Sequence, residues 1–139
     1  MNLPNLTCAI LADRHTGLSE GIRGLLESVF QTVYTVANAN SLKEGAEYLS
    51  PALIVLDISL GEYGFEELLK EVHELSPTSK LLVLSVHDQP AIARIALASG
   101  AQGIVLKRNI DPDFLSAISA MLKNQRFISP DFGLDATLN

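Results

Sequence analysis

The sequence predicts an α/β fold in which helices cover both faces of a mainly parallel sheet. Five short apolar runs alternate with segments whose apolar residues recur at helical spacing. The run at residues 52–56 is apolar throughout, as expected of a strand that is covered on both faces. With 139 residues, of which 47% are hydrophobic, the chain suits one domain with its own core.

The first half of the chain predicts three strands with two helices between them. The strands are predicted at residues 6–12, 33–37 and 52–56. The first helix is predicted by apolar residues at helical spacing, namely Leu18, Ile22, Leu25, Leu26 and Val29. Ser41 and Glu44 have the spacing of a capping box, which predicts the start of the second helix.

The second half predicts three helices and two more strands. Residues 65–75 carry an apolar helical face that ends before Pro77. The strands are predicted at residues 81–84 and 102–106. Asp88 is a suitable cap for the helix between them, and Asp111 before Pro112 predicts the start of the last helix. The inward-facing residues of that helix are predicted to be Leu115, Ile118 and Leu122.

Three of the apolar runs end at polar residues that the fold would bring together. The third run ends at Asp57, the fourth at Ser85 and the fifth at Lys107. Strand carboxyl ends gather at one edge of an open parallel sheet, where ligands bind. A carboxylate, a hydroxyl and an ammonium group at this edge indicate phosphate chemistry.

Charge and composition exclude several classes of protein. The formal net charge of −6 argues against direct binding of nucleic acid by this chain. No apolar stretch approaches the roughly 18 residues of a membrane helix, and the N-terminus lacks the basic region of a signal peptide. We therefore expect a cytoplasmic location without membrane contact. The single cysteine, Cys8, cannot form an internal disulfide and is expected to be buried in the first strand.

The end of the chain differs from the rest. Residues 126–139 show no strong period and contain Pro130 and Gly133. We therefore predict a domain over residues 1–125, followed by a tail or linker without regular structure.

Several short segments together carry a resemblance to a known family. They are Asp13-Arg14-His15, Leu56-Asp57-Ile58, Leu84-Ser85-Val86-His87-Asp88, the segment from Ala98 through Lys107, and Arg126-Phe127-Ile128-Ser129-Pro130. The order and spacing of these segments resemble those of the receiver domain of bacterial two-component response regulators, in the LuxR/NarL-type branch. The resemblance covers about residues 6–130.

The resemblance implies a flavodoxin-like, doubly wound sheet of five parallel strands in the order 2-1-3-4-5. It also implies that a sensor histidine kinase donates a phosphoryl group to Asp57. Lys107 would pair with the phosphoryl oxygens, and Ser85 would hydrogen-bond to them. Phosphorylation would then switch homodimerisation or an output, which in the full-length protein would be DNA binding and transcription regulation by a separate helix-turn-helix domain.

The same resemblance implies a magnesium ion held by an acidic pair, by Asp57 and by the backbone carbonyl of Ser59. Asp13 matches the first acid of the pair, but Arg14 stands at the second. An alternative register makes Ala12 the first position and Asp13 the second. Either register leaves one acid fewer than usual, so we expect magnesium to bind weakly.

These departures keep other functions open. Arg14 would repel a divalent cation, stand in for its charge beside Asp57, or extend into solvent. Residues 60–65 lack the usual proline turn, and Ile104 replaces an aromatic residue of the family's switch.

A phosphorylation-independent interaction module is therefore the main alternative. A small enzyme is the third, although the chain lacks a glycine-rich phosphate loop, a nucleophile elbow and a cofactor fingerprint. We expect no enzymatic activity on a diffusible substrate.

Overall fold

The computed structural model describes residues 5–61 and 64–134, in which strands and helices alternate. The strands are β1 (Asn5–Ala12), β2 (Thr32–Val36), β3 (Pro51–Asp57), β4 (Lys80–Ser85), β5 (Gly103–Leu106) and β6 (Phe127–Ile128). The helices are α1 (Thr16–Glu27), α2 (Ala39–Leu49), α3 (Phe65–Leu75), α4 (Pro90–Ala98) and α5 (Ile110–Leu122). Short 3-10 turns follow β3, β5 and β6, at Ile58–Leu60, Lys107–Asn109 and Pro130–Phe132.

All six strands are parallel and lie in the order β2-β1-β3-β4-β5-β6. The predicted five-strand order is confirmed, and the short β6 extends the sheet beyond β5. The register aligns the carboxyl ends of the central strands at one edge. The paired residues there are Ala12 with Leu56, Asp57 with Leu84, and Ser85 with Leu106.

Apolar side chains pack on both faces of the sheet. Helices α2, α3 and α4 cover one face, and α1 and α5 cover the other. All seven residues of β3 are buried, which explains why this strand is a continuous apolar run. At the sheet's edge, β2 buries Val33 but exposes Tyr34, so its apolar pattern is weaker. Among the described residues, no helix is long and apolar enough to cross a membrane.

The segment after α5 is more regular than the sequence predicts. Ile128 of β6 lies opposite Ile104 of β5, and both Ser129 and Phe132 are buried. The prediction of an irregular end is therefore wrong for residues 127–134. A two-residue strand is too short to produce a detectable period. Residues 135–139 lie outside the described part, and the boundary at residue 125 stays a prediction.

The predicted caps of two helices are also wrong. Helix α2 begins after Asn38, whose side chain accepts a hydrogen bond from the Ser41 backbone nitrogen at 2.8 Å, so Ser41 and Glu44 lie inside the helix. Helix α4 follows Gln89 rather than Asp88. Both errors arise because the capping residue is defined by the backbone conformation at the start of the helix. The spacing of residue types in the sequence does not determine that conformation.

The cap predicted for α5 is wrong as well, because the helix begins at Ile110 after Asn109, two residues before the predicted start at Pro112, and Asp111 lies in its first turn. Its buried face consists of Phe114, Ala117, Ile118 and Met121. The prediction is right for Ile118 but wrong for Leu115 and Leu122, which are 43% and 45% exposed. Both sets of residues have helical spacing, so the period alone does not identify the inward face.

Candidate functional site

The candidate site lies at the carboxyl edge of the sheet, where three charged residues converge. Asp13 directly follows β1, Asp57 ends β3, and Lys107 directly follows β5. Their strands are parallel neighbours or near neighbours in the sheet, so their ends reach the same edge. Of these three residues, Lys107 contacts both carboxylates.

The Lys107 ammonium group lies between the two carboxylates. It forms an ion pair with Asp57 Oδ2, and its Nζ lies 3.6 Å from Asp13 Oδ2. The side chains of Lys107, Asp57 and Asp13 are 10%, 5% and 0% exposed. Lys107 is therefore not a surface charge but the cation that compensates two buried carboxylates, which would be costly to bury alone.

The second oxygen of Asp57 is fixed by the turn that follows β3. Asp57 Oδ1 accepts a hydrogen bond from the Ser59 backbone nitrogen at 2.9 Å and so caps the 3-10 turn. Burial alone would raise the pKa of Asp57. Hydrogen bonds from Lys107 and Ser59, with the Lys107 charge, outweigh burial and hold that pKa below its ordinary value. Asp57 is therefore ionised at neutral pH, as a nucleophile toward phosphorus must be.

Asp13 is the acid that both predicted registers share, and it points into the site. Its Oδ1 accepts a hydrogen bond from the His15 backbone nitrogen at 2.8 Å, while Oδ2 faces Lys107. Ala12 is fully buried in β1 and brings no polar group. Asp13 is thus the one member of the acidic pair in this site that carries a carboxylate.

Arg14 reaches across the edge of the site. Its Nη2 donates a hydrogen bond to the backbone carbonyl oxygen of Ser59 at 2.6 Å. Ser59 is the residue whose N–H binds Asp57, so the guanidinium is attached to the same turn. The side chain is exposed, but it does not simply extend into solvent.

Ser85 is fully buried at the end of β4, and its hydroxyl bonds within its own loop. Oγ donates to the His87 carbonyl oxygen at 2.8 Å and accepts from the His87 backbone nitrogen at 3.0 Å. A hydrogen bond from Ser85 to a phosphoryl oxygen would therefore require the hydroxyl to turn away from His87. His87 itself is exposed, as expected of a loop histidine.

Sequence reasoning missed Arg108, which links three segments at this edge. Its Nη2 lies 3.0 Å from Asp88 Oδ2, before α4, and 3.4 Å from Asp131 Oδ2, in the turn after β6. The sequence offered one indication that Arg108 lies near the site, because it directly follows Lys107 in the chain. The position of Asp131, however, depends on β6, which the sequence did not predict.

Ser129 was likewise missed as a structural residue of this edge. It is fully buried, and its hydroxyl accepts from the Leu106 backbone nitrogen at 3.1 Å and donates to Asp113 at 2.8 Å. The hydroxyl thus joins β5, α5 and the segment after β6. It fixes the end of β5 immediately before Lys107.

The arrangement does not fit the magnesium ion that the resemblance implies. The Ser59 carbonyl already accepts from Arg14, and Lys107 is the cation beside Asp13 Oδ2 and Asp57 Oδ2, two buried oxygens that accept no hydrogen bond from other described residues. Among the described residues, no group of three or more His, Cys, Asp or Glu could hold a metal ion. Two cations at this edge would also repel a third.

A cleft of about 500 Å³ lies beside the site, between α2 and α3. Arg14 and Leu60 contribute to its lining, and so do Lys43 and Glu71, whose side chains form an ion pair at 2.9 Å. Its lining mixes these charged side chains with apolar ones such as Leu60 and Leu68.

A doubly wound sheet with buried carboxylates and a lysine at its carboxyl edge defines a receiver-type signalling domain. The chain matches the response regulator receiver domain over residues 9–119. It belongs to that family, and the resemblance inferred from the sequence is confirmed. Receiver domains typically bind Mg²⁺ at the acidic site, and this chain departs from the family there.

Curated relatives include transcriptional regulators. The transcriptional regulatory protein DegU of Brevibacillus brevis is 26% identical over 123 residues, covering 87% of this chain and 52% of the relative. The nitrate/nitrite response regulator protein NarL of Escherichia coli K12 is 29% identical over 123 residues, covering 86% and 56%. The chain therefore spans about half the length of the curated relatives it matches.

Solved structures agree in fold and family. A LuxR-family two-component response regulator from Aurantimonas sp. SI85-9A1 is 25% identical, with a TM-score of 0.83 and 96% of each chain covered. The isolated REC domain of RcsB from Salmonella enterica serovar Typhimurium, in the presence of the phosphomimetic BeF3-, is 25% identical with a TM-score of 0.80. That match covers 93% of this chain and 97% of the other.

Proposed function

We propose that this receiver domain accepts a phosphoryl group on Asp57 from a sensor histidine kinase. The observation that carries the proposal is the contact between the Lys107 ammonium group and the buried, ionised Asp57 carboxylate. It supplies a nucleophile and a cation for an incoming phosphoryl group at the edge of the sheet.

The chemistry follows from these groups. An Asp57 carboxylate oxygen attacks phosphorus, and the bond from phosphorus to the donor's leaving atom breaks. The leaving group departs with the electron pair of that bond. Lys107 then transfers its contact from Asp57 to the phosphoryl oxygens, while Ser85 turns from His87 to donate its hydroxyl proton to one of them in a hydrogen bond.

The test is phosphoryl uptake from acetyl phosphate, followed by intact-mass measurement. We expect the wild-type protein to gain one phosphoryl group and Asp57→Asn to gain none. Asp88→Asn is the matched control, because it removes an exposed carboxylate at the same edge, and it should react like the wild type. An unreactive wild type, or equal uptake by Asp57→Asn, would overturn the proposal.

We further propose that phosphorylation switches homodimerisation and, in a full-length protein built like its relatives, a DNA-binding output that regulates transcription. Arg108 contacts Asp88 in the loop after Ser85 and Asp131 in the segment after β6. These contacts support the transmission of a structural change from the phosphorylation site to that segment. Exposed ion pairs contribute little stability, so they can exchange at small cost. Light scattering and hydrogen exchange of residues 127–134, with and without phosphorylation, test this; no change in either would contradict it.

A second candidate function is a phosphorylation-independent interaction module. The contact of Arg14 with the Ser59 carbonyl favours it, because Arg14 and Lys107 already balance the charges of Asp13 and Asp57. In that case Asp57→Asn would leave dimerisation and partner binding unchanged. In neither role does the protein turn over a diffusible substrate.

A further inference from the structure

The position of Arg14 suggests more than a weakened metal site. Its guanidinium lies within 2.6 Å of the Ser59 carbonyl oxygen, although the two residues are 45 positions apart in the chain. Ser59 in turn holds Asp57 Oδ1 through its N–H at 2.9 Å. Arg14 therefore places a permanent positive charge on the turn that orients the Asp57 carboxylate.

Of the remaining oxygens of the site, Asp13 Oδ1 has a hydrogen-bond donor, and the two Oδ2 atoms have only the Lys107 cation beside them. Asp13 Oδ1 accepts from His15 N, and Asp13 Oδ2 lies 3.6 Å from the Lys107 Nζ. Asp57 Oδ2 is paired with the same ammonium group. A divalent cation would have to displace these partners and would face two positive charges at close range.

We propose that Arg14 takes the place of a divalent cation in this site, so that a phosphoryl group on Asp57 is held between Arg14 and Lys107 without a metal. The proposal rests on the phosphoryl-accepting function stated above. A guanidinium is suited to the role because its planar array of N–H donors matches phosphate oxygens. The transfer needs no other co-reactant: the Asp57–phosphorus bond forms as the donor's bond to phosphorus breaks.

The first arm of the test measures metal binding directly and does not depend on phosphorylation. Mn²⁺ is titrated into the unphosphorylated protein, and the free ion is followed by electron paramagnetic resonance. We expect no saturable site in the wild type at millimolar Mn²⁺ and a new site in Arg14→Asp, which restores the second acid. Arg23→Asp, on the outer surface of α1, makes the same charge change away from the site and should bind like the wild type.

The second arm compares phosphoryl uptake from acetyl phosphate with excess Mg²⁺ and with excess EDTA. The wild type should react at the same rate in both. Arg14→Ala should react about a hundredfold more slowly in EDTA, as when one preorganised donor is lost. Arg14→Lys should retain part of the rate, because it keeps the charge but not the planar donors, and Arg14→Asp should react only with Mg²⁺. Circular dichroism verifies that each variant is folded.

The two arms separate failure of this inference from failure of the proposed function. Wild-type Mn²⁺ binding as tight as that of Arg14→Asp overturns the role of Arg14, and so does wild-type uptake that EDTA abolishes. If neither the wild type nor Arg14→Asp is phosphorylated in any condition, the phosphoryl-accepting function fails, and with it the role of Arg14 toward a phosphoryl group. The Mn²⁺ arm then still decides whether Arg14 excludes the metal.

Discussion

Replacing Lys107 by Met is predicted to destabilise the protein strongly and to make its stability decrease as the pH rises from about 5 to about 7. Methionine retains most of the side-chain volume but removes the ammonium group between Asp13 and Asp57. Both carboxylates are almost completely buried, so water cannot replace the lost cation. The folded state of Lys107→Met would contain two buried negative charges without the ammonium group between them.

The magnitude follows from the geometry. At the observed 3.6 Å between Lys107 Nζ and Asp13 Oδ2, two unit charges attract by about 5 kcal/mol at an effective dielectric of about 20. Removing one partner of a buried ion pair typically costs about 3–5 kcal/mol. We therefore expect the free energy of unfolding at pH 7 to fall by about 3 kcal/mol or more.

The sign of the pH effect differs between the two proteins. In the wild type the pKa of Asp57 is lowered, so its stabilising contribution is present above about pH 4 and is lost as the pH falls further. In Lys107→Met the pKa of Asp57 should rise above its unfolded value, so the folded state takes up a proton that the unfolded state does not. The stability deficit should then shrink by up to about 1.4 kcal/mol per pH unit between about pH 7 and pH 5.

The assay is urea unfolding followed by far-ultraviolet circular dichroism at several pH values for wild type and variant. Lys43→Met is the matched control, because it removes a partly exposed ion pair with Glu71 and should cost about 0.5 kcal/mol with no change in pH slope. A loss below about 1 kcal/mol at pH 7, or a deficit that does not depend on pH, would refute the buried-charge account.

Three further predictions concern the scaffold, and each is checked by chemical unfolding. Ser129→Ala should cost about 1–3 kcal/mol, because it leaves a buried backbone N–H of β5 without its acceptor; a neutral result would mean that another acceptor replaces the hydroxyl. Asn38→Ala should cost about 1 kcal/mol through loss of the α2 cap; an unchanged midpoint would contradict the capping role. Gly100→Ala should cost about 1–3 kcal/mol, because the φ of Gly100 is +118° and a Cβ there would lie 3.0 Å from His73. The control is Gly24→Ala, at a helical position with open space around it, which should stabilise the protein by about 0.5–1 kcal/mol.

The fold was predictable because its central strands are continuous apolar runs. β3 and β4 are buried on both faces, so their sequences contain few polar interruptions, and the first polar residue after each run marks the strand's end. The same rule, applied to the third and fifth runs, places Asp57 and Lys107 at one edge of the sheet from the order of residues alone. Their ion pair follows from parallel strand order, which the family resemblance supplied.

The features that the sequence did not reveal depend on tertiary placement. A two-residue β6 has no period, and its burial depends on an exposed edge of β5 that only the folded sheet creates. The inward face of α5 could not be chosen because Phe114 and Leu115 each begin an apolar series with helical spacing. The direction of Arg14 is likewise set by a carbonyl group 45 residues away, which no local pattern encodes.

The short β6 has a consequence for where this domain can be cut or joined. Without residues 127–134, the apolar strand β5 would present unpaired backbone groups along its outer side, and such an edge promotes association with other chains. Loss of Phe132 would also leave a gap in the core on the face that α4 covers. A fragment or fusion that ends at residue 125 would therefore be prone to aggregation. A junction after Leu134 keeps β6 paired with the outer side of β5.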